Sequence, residues 1–157
     1  MKTYHLKSEL WLPHPPQKIF PFFGDAFNLN SITPQWLHFQ ILTPPPVRMQ
    51  KGTLVDYKLR LHGVPIKWQT EIVEWNPPFR FVDEQRKGPY RKWIHTHLFQ
   101  EENGGTRIVD LVEYSLWIPF LDSVVNRILV EPDLKKIFAY RRDKLSDRFE
   151  EPVKNTV

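Results

Sequence analysis

Two histidines two residues apart, His95 and His97, are the residues of this sequence best placed to do chemistry. They lie in a segment with the alternating pattern of a β-strand, in which residues two apart point to the same face. Asp83 lies in the predicted strand before this segment and Asp110 in the one after it. If the three strands are neighbours, two imidazoles and two carboxylates meet on one face of a sheet. Imidazole titrates near neutral pH, so such a cluster suits acid–base chemistry.

The cluster has three interpretations. A histidine oriented by Asp83 or Asp110 can remove a proton from a carbon next to a carbonyl group, as a cyclisation or dehydration requires. His95 and His97 with one carboxylate also form a three-ligand set for zinc or iron that leaves a coordination position open. Alternatively, the four groups hydrogen-bond to one another and form a polar floor that orients a bound ligand. We favour the polar floor, expect no metal, and take all four residues as the catalytic candidates.

These residues belong to a longer series of predicted strands. The first strand covers Tyr4–Leu12, where apolar and polar residues alternate. Two short helices follow, one beginning at Pro15 or Pro16 and one over Ala26–Ile32. Turns rich in proline, glycine and asparagine then separate six further predicted strands. These strands cover residues 37–43, 53–61, 66–75, 80–85, 91–101 and 106–117. Because the connections are short, we expect neighbouring strands to pair antiparallel as a meander.

The end of the chain has the periodicity of an amphipathic helix. Apolar residues recur every three or four positions over 121–129 and again over 134–149, and we expect a break at Pro132 between the two stretches. Arg141 falls on the apolar register with Phe138, so we expect it to reach a carboxylate or an acidic group of a ligand. This helix is the only predicted element long enough to cover the sheet. We therefore expect it to lie across the sheet and to leave a cavity between the two.

Composition indicates one folded unit that is held together by packing alone. The chain has 157 residues, of which 41% are hydrophobic, and we predict a single domain over residues 1–150 with a C-terminal tail at 151–157. There is no cysteine, which excludes disulfides and thiolate zinc sites.

The net charge of +4 is mild, and since we find neither a signal peptide nor a membrane-spanning run, we expect a cytoplasmic protein. Six tryptophans and eleven phenylalanines favour a cavity lined by rings.

Several short motifs follow one another in a characteristic order. They are Asn28-Leu29, Thr33-Pro34, Asp83-x-Gln85-x-x-Gly88-Pro89-Tyr90-x-x-Trp93-x-His95-x-His97-x-Phe99, Gly105-Thr106, Asp110-x-Val112-x-Tyr114 and Ile137-Phe138-x-Tyr140-Arg141. With the order of the elements, they resemble the SRPBCC superfamily of START lipid-transfer domains, polyketide cyclase/dehydrase domains and birch-pollen-allergen-like proteins. The similarity is greatest to its bacterial ligand-binding or cyclase/dehydrase-like branch.

The resemblance implies an α+β helix-grip fold. In this fold a seven-stranded curved antiparallel sheet wraps around a long C-terminal helix, and two short helices follow the first strand. The chain departs from the pattern before the last helix, where Trp117-Ile118-Pro119-Phe120 replaces the expected Pro-x-Gly turn. We therefore expect the mouth of the cavity to differ in shape from that of the proteins it resembles.

The resemblance also implies that the protein binds a hydrophobic or amphipathic small molecule in an internal cavity between the sheet and the C-terminal helix. The alternative is a cofactor-independent cyclase/dehydratase-type enzyme that uses a His/Asp acid–base pair in that cavity. The residues expected to bind the ligand are Tyr57, Trp68, Phe81, Asp83, Gln85, Trp93, His95, His97, Phe99, Asp110, Val112, Tyr114, Phe138 and Arg141.

Other partners are not expected. The sequence has neither a dinucleotide-binding glycine motif nor a phosphate loop, so we predict no cofactor. The basic residues around Gly88 occupy one hairpin tip, which is too small for a nucleic-acid footprint. Apolar residues near Phe120 allow at most transient contact with a membrane.

Overall fold

The computed structural model describes residues 2–150, so the predicted tail at 151–157 lies outside the described residues. The strands are β1 Tyr4–Leu12, β2 Gln40–Ile41, β3 Leu54–Leu61, β4 Val64–Asn76, β5 Arg80–Lys87, β6 Lys92–Glu102 and β7 Gly105–Ser115. They form one seven-stranded antiparallel sheet in the order β1-β7-β6-β5-β4-β3-β2. Strands β2 to β7 thus form the predicted meander, and β1 pairs with β7.

The helical elements also follow the predicted order. They are α1 Pro16–Phe23, the 3-10 segments Ala26–Ile32 and Gln35–Leu37, α2 Asp122–Val125, the π-helical turn Asn126–Val130 and α3 Glu131–Glu150. The expected helix-grip arrangement of sheet, short helices and long C-terminal helix is confirmed.

The two short helices that follow β1 begin at a proline and after an aspartate. Pro16 occupies the first position of α1, where a helix needs no amide donor. The next segment begins where Asp25 accepts a hydrogen bond from the backbone N–H of Phe27 at 2.9 Å. Ile19 and Phe20 of α1 are buried against the sheet. These helices therefore close one side of the space over the sheet.

The strand predicted over residues 37–43 is much shorter in the structure. Leu37 ends a 3-10 segment, and His38 has a left-handed backbone with φ 46°. The chain pairs with β3 only over Gln40–Ile41. The alternation of apolar residues indicated a strand here, but a left-handed residue interrupts an extended conformation and delays the start of pairing.

The C-terminal helix does not break at Pro132, contrary to the sequence prediction. The chain stays helical from Asp122 to Glu150, and the irregularity is a π-helical turn just before the proline. There the N–H of Glu131 donates to the carbonyl of Asn126, five residues back. A π-helical turn is wider than an α-helical one, and it lies where the proline ring and its missing N–H disturb the regular pattern. The helix thus continues across the sheet.

Helix α3 packs on the sheet through a few large side chains. Leu134, Phe138 and Leu145 are buried and face the strands. In contrast, the segment before α2 exposes its apolar side chains, and Phe120 is 97% exposed. Within residues 2–150, no helix is both long enough and apolar enough to cross a membrane.

Candidate functional site

Four side chains form a closed ring on the face of β5, β6 and β7 that is turned toward α3: Asp83, His95, His97 and Asp110. In the strand register, Asp83 lies opposite His95, and His97 opposite Asp110. The shortest hydrogen bonds nevertheless follow the diagonals. His97 Nε2 is 2.7 Å from Asp83 Oδ2, and His95 Nε2 is 2.8 Å from Asp110 Oδ1. The convergence expected from the sequence is therefore present in the fold.

The remaining distances make the two histidines different. His97 Nδ1 is 3.1 Å from Asp110 Oδ1, so each nitrogen of the His97 imidazole faces a carboxylate oxygen. An ionised carboxylate only accepts hydrogen bonds, so two such contacts require a proton on both nitrogens. His95 Nδ1 is 3.8 Å from Asp83 Oδ2, beyond hydrogen-bond distance. The geometry thus fits a charged His97 and a neutral His95 protonated at Nε2.

Burial and charge shift the pKa values of the four groups in directions that agree with this geometry. Burial alone would lower the pKa of His97, but its hydrogen bonds with Asp110 and Asp83 outweigh burial and raise that pKa. For His95, burial and the charge of His97 lower the pKa, and the hydrogen bond to Asp110 offsets this only in part. Burial opposes ionisation of Asp83 and Asp110, yet the hydrogen bonds from the histidines lower both carboxyl pKa values. These directions agree with the geometry, which fits two carboxylates and one imidazolium in the ring.

Neighbouring side chains hold the histidines in place. The ring of His97 stacks on Phe81 with 3.8 Å between centroids, and the rings of His95 and His97 are 3.7 Å apart. Phe138 of α3 meets His95 edge-on at 5.4 Å. Thr70 donates a hydrogen bond of 3.3 Å to Asp83 Oδ1. Both imidazoles are 5% exposed, so their orientation is fixed by packing as well as by hydrogen bonds.

A cavity of about 170 Å³ lies between the sheet, α3 and the short helices. Most of its wall is aliphatic or aromatic, and the ring of histidines and aspartates supplies part of its polar surface. Nine of the residues predicted to bind a ligand line this cavity: Tyr57, Trp68, Phe81, Asp83, Trp93, His95, His97, Phe138 and Arg141.

The other five predicted ligand-binding residues lie outside the lining: Gln85, Phe99, Asp110, Val112 and Tyr114. Gln85 instead hydrogen-bonds the backbone of Tyr90 and closes the β5–β6 hairpin. Phe99 packs among the phenylalanines of α1, and Val112 is buried in the core. Asp110 lies behind the histidines, and Tyr114 donates a hydrogen bond to the C-terminal helix. All five lie on strands of the sheet, but the cavity covers only part of the sheet face and none of β7.

Much of the cavity wall was not among the residues that the sequence predicted to bind a ligand. It includes Leu29, Leu37, Phe39, Met49 and Leu59. Alternation could have indicated Leu59, which lies two residues from Tyr57, and likewise Leu37 and Phe39 in the strand predicted over residues 37–43. Leu29 and Met49 lie in a 3-10 segment and a connection, where no periodicity indicates which side chains point inward.

A metal site fits the ring of side chains poorly. Ligand atoms of Asp83, His95 and His97 lie within 4.8 Å of one another, so two imidazoles and a carboxylate are close enough to share an ion. Metal ligation needs a neutral imidazole with a free lone pair. Both nitrogens of His97, however, face carboxylate oxygens. The donor set therefore matches a hydrogen-bonded network better than a metal centre.

Comparisons with known proteins identify the fold. The chain matches no protein-family model, and no curated protein matches it in sequence. Among solved structures, it is similar to the Zhui aromatase/cyclase from Streptomyces sp. R1128, with a TM-score of 0.76 and 12% identity over 98% of both chains. Protein TTHA0849 from Thermus thermophilus has a TM-score of 0.73 and 20% identity, covering 94% of this chain and 97% of its own.

A plant protein has a similar structure. The major latex-like protein 151 from Panax ginseng has a TM-score of 0.68 and 11% identity, covering 95% of this chain and 99% of its own. These structural similarities extend over nearly the whole chain, although at most 20% of the residues are identical. Together with the sheet order and the C-terminal helix, they show that the chain has the helix-grip fold that its resemblance to the SRPBCC superfamily implied.

Proposed function

We propose that this protein binds a hydrophobic or amphipathic small molecule in the cavity between the sheet and α3. The observation that carries the proposal is the cavity itself, about 170 Å³ with a mainly apolar wall and a few buried polar groups. A site of this kind removes the apolar body of a ligand from water and uses the polar groups to fix its orientation. The ring of Asp83, His95, His97 and Asp110 suits that second role, because its members are already oriented by one another.

Binding of the neutral fluorescent probe N-phenyl-1-naphthylamine tests this proposal. We expect saturable binding to the wild-type protein, and much weaker binding to Leu61→Trp, which places a larger ring at the half-buried lining position 61. Leu54→Trp is the matched control, since Leu54 lies on the same strand and is 47% exposed. Thermal unfolding shows whether both variants fold. Equal binding by the two folded variants, or no binding by wild type, would contradict the proposal.

A second candidate function is a cofactor-independent cyclase or dehydratase. The observation in its favour is the position of His95, which lines the cavity and whose Nδ1 has no carboxylate within hydrogen-bond distance. A base in this position can take a proton from a carbon between two carbonyl groups. The resulting carbanion then attacks a more distant carbonyl carbon of the same molecule. The alkoxide that forms takes a proton, and the aldol product loses water. The structural similarity to an aromatase/cyclase supports the same candidate.

Conversion of a linear 3,5,7-trioxo ester to its aromatic aldol product tests this second candidate. If His95 is the base, the wild-type protein accelerates the reaction over buffer, and His95→Asn loses the acceleration while N-phenyl-1-naphthylamine still binds. Liquid chromatography quantifies the product. The outcome that rejects the enzyme is a wild-type rate equal to that of buffer, or a His95→Asn rate equal to that of wild type.

A further inference from the structure

Arg141 is a half-buried cation with a fully buried Nε atom, and its contacts do not explain its position. It projects from α3 into the cavity, on the same helix face as Phe138 and Leu145. Its guanidinium lies over the ring of Phe138, 5.1 Å from the centroid. Within residues 2–150, its Nε atom is buried and has no hydrogen-bond partner. An unpaired buried donor carries a desolvation cost, so the cavity lacks an acceptor at this point.

The histidines and aspartates of the ring do not supply that acceptor. Asp83 already accepts hydrogen bonds from His97 and Thr70, and Asp110 accepts them from both histidines. Arg141 acts on Asp83 through its charge, which contributes to the lowered pKa of that carboxyl. The two carboxylates thus bond within the ring and to Thr70, and neither accepts a hydrogen bond from Arg141 Nε on the helix side of the cavity.

The ring is equally unable to bind an anion in place of Arg141. Both nitrogens of His97 face carboxylate oxygens, and His95 Nε2 is bonded to Asp110. Two carboxylates and one imidazolium, the states that this geometry fits, leave the ring with one net negative charge. An anionic ligand group is therefore attracted to Arg141 and repelled by the sheet side of the cavity.

We infer that the ligand of this cavity is an amphipathic carboxylic acid, bound as the carboxylate by the Arg141 guanidinium. This inference rests on the proposed binding function and narrows it to one ligand class. Nε and one terminal nitrogen of a guanidinium form a planar fork that matches the two oxygens of a carboxylate. The apolar body of the ligand then lies along the rings of the cavity wall, such as Trp68 and Phe138.

Competition with bound N-phenyl-1-naphthylamine tests the inference, with 3-(2-naphthyl)propanoic acid and its primary amide as the two probes. At neutral pH the acid is ionised and the amide is a neutral molecule of nearly the same shape. We expect the acid to bind wild type at least about tenfold more tightly than the amide, as hydrogen bonds to charged groups are stronger than neutral ones. Arg141→Gln should remove this preference, and the neutral fluorescent probe, titrated against the same variant, shows whether the cavity is still formed.

Two controls separate the role of Arg141 from general charge effects. Lys144→Gln removes one positive charge from the exposed face of the same helix and should keep the preference for the acid. In wild type, the ¹H–¹⁵N signal of Arg141 Nε should move on addition of the acid and stay in place with the amide, which requires no variant to fold. If the fluorescent probe binds but acid and amide compete equally, or if Arg141→Gln keeps the preference, the inference is wrong while the binding function stands. If the fluorescent probe does not bind wild type, both are wrong.

Discussion

His97 donates a hydrogen bond of 2.7 Å to Asp83, although the residue opposite Asp83 in the strand register is His95. This diagonal contact places His97 between two carboxylates and leaves His95 with a short contact to only one, Asp110. The surroundings of two histidines that are equivalent in the sequence pattern thus favour the charged form of His97 and the neutral form of His95. Each interpretation of the site depends on that difference.

The protonation states of the two histidines can be measured directly. We predict that at pH 7 His97 is doubly protonated and His95 is a neutral Nε2–H tautomer, because His97 contacts two carboxylate oxygens and His95 one. Long-range ¹H–¹⁵N correlation spectra distinguish the two states by their nitrogen shifts. The same state for both rings at pH 7 would contradict the assignment.

Stability should decrease as the pH rises above neutral, because of His97. The pKa of His97 is raised in the folded state, so its contribution is fully present below the unfolded value of about 6.5 and is lost as the pH rises through the folded value. His95 has the opposite sign: its lowered pKa gives a contribution that is lost as the pH falls below about 6.5. Urea unfolding from pH 5 to 9 measures both slopes. His97→Gln should flatten the alkaline slope, and parallel curves for variant and wild type would refute the prediction.

Asp110→Asn should be strongly destabilising. It removes one carboxylate from a buried network and leaves the His97 imidazolium with a single anionic partner, and breaking a buried pair in this way costs about 3–5 kcal/mol. Glu113→Gln is the control on the same strand, because Glu113 forms only an exposed ion pair with Lys92 and should cost about 0–1 kcal/mol. Urea unfolding at pH 7 gives both values. Similar small losses in the two variants would show that the buried network adds little stability.

Purified protein should contain well below one equivalent of zinc or iron. His97 would have to give up a proton and two carboxylate contacts before it could bind an ion. Elemental analysis by mass spectrometry, after purification without chelators, measures the content. One equivalent of either metal that is lost in His97→Gln would revive the metal interpretation.

The sequence predicted those parts of the fold in which periodicity is regular. The alternation over Tyr4–Leu12 matches β1 residue for residue, and the proline at residue 16 matches the start of α1. The prediction of the strand over residues 37–43 was wrong in extent because it depended on apolar spacing, which does not reveal the left-handed backbone of His38. The predicted break at Pro132 was wrong because a π-helical turn accommodates the proline without ending the helix.

The sequence predicted the convergence of the site but not its pairing. Residues two apart share a strand face, so the meeting of His95, His97, Asp83 and Asp110 followed once the strands were neighbours. Which histidine takes two carboxylates depends on side-chain rotamers and on the diagonal geometry of the sheet, and neither has a signal in residue spacing. The helical register likewise placed Arg141 on the inner face, but not its lack of a hydrogen-bond partner.

The π-helical turn over Asn126–Val130 determines the angular setting of everything beyond it. Tyr114 of β7 donates a 2.7 Å hydrogen bond to Asn126, which ties this turn to the sheet. The i→i+5 bond makes this turn wider than an α-helical one, so it holds one residue more. If the same residues formed a regular α-helix, in which each residue advances by about 100°, Phe138 and Arg141 would rotate out of the cavity together while the strands kept their pairing. Substitutions that convert this turn to a regular α-helical one therefore offer a route to new ligand preferences that leaves every residue of the sheet unchanged.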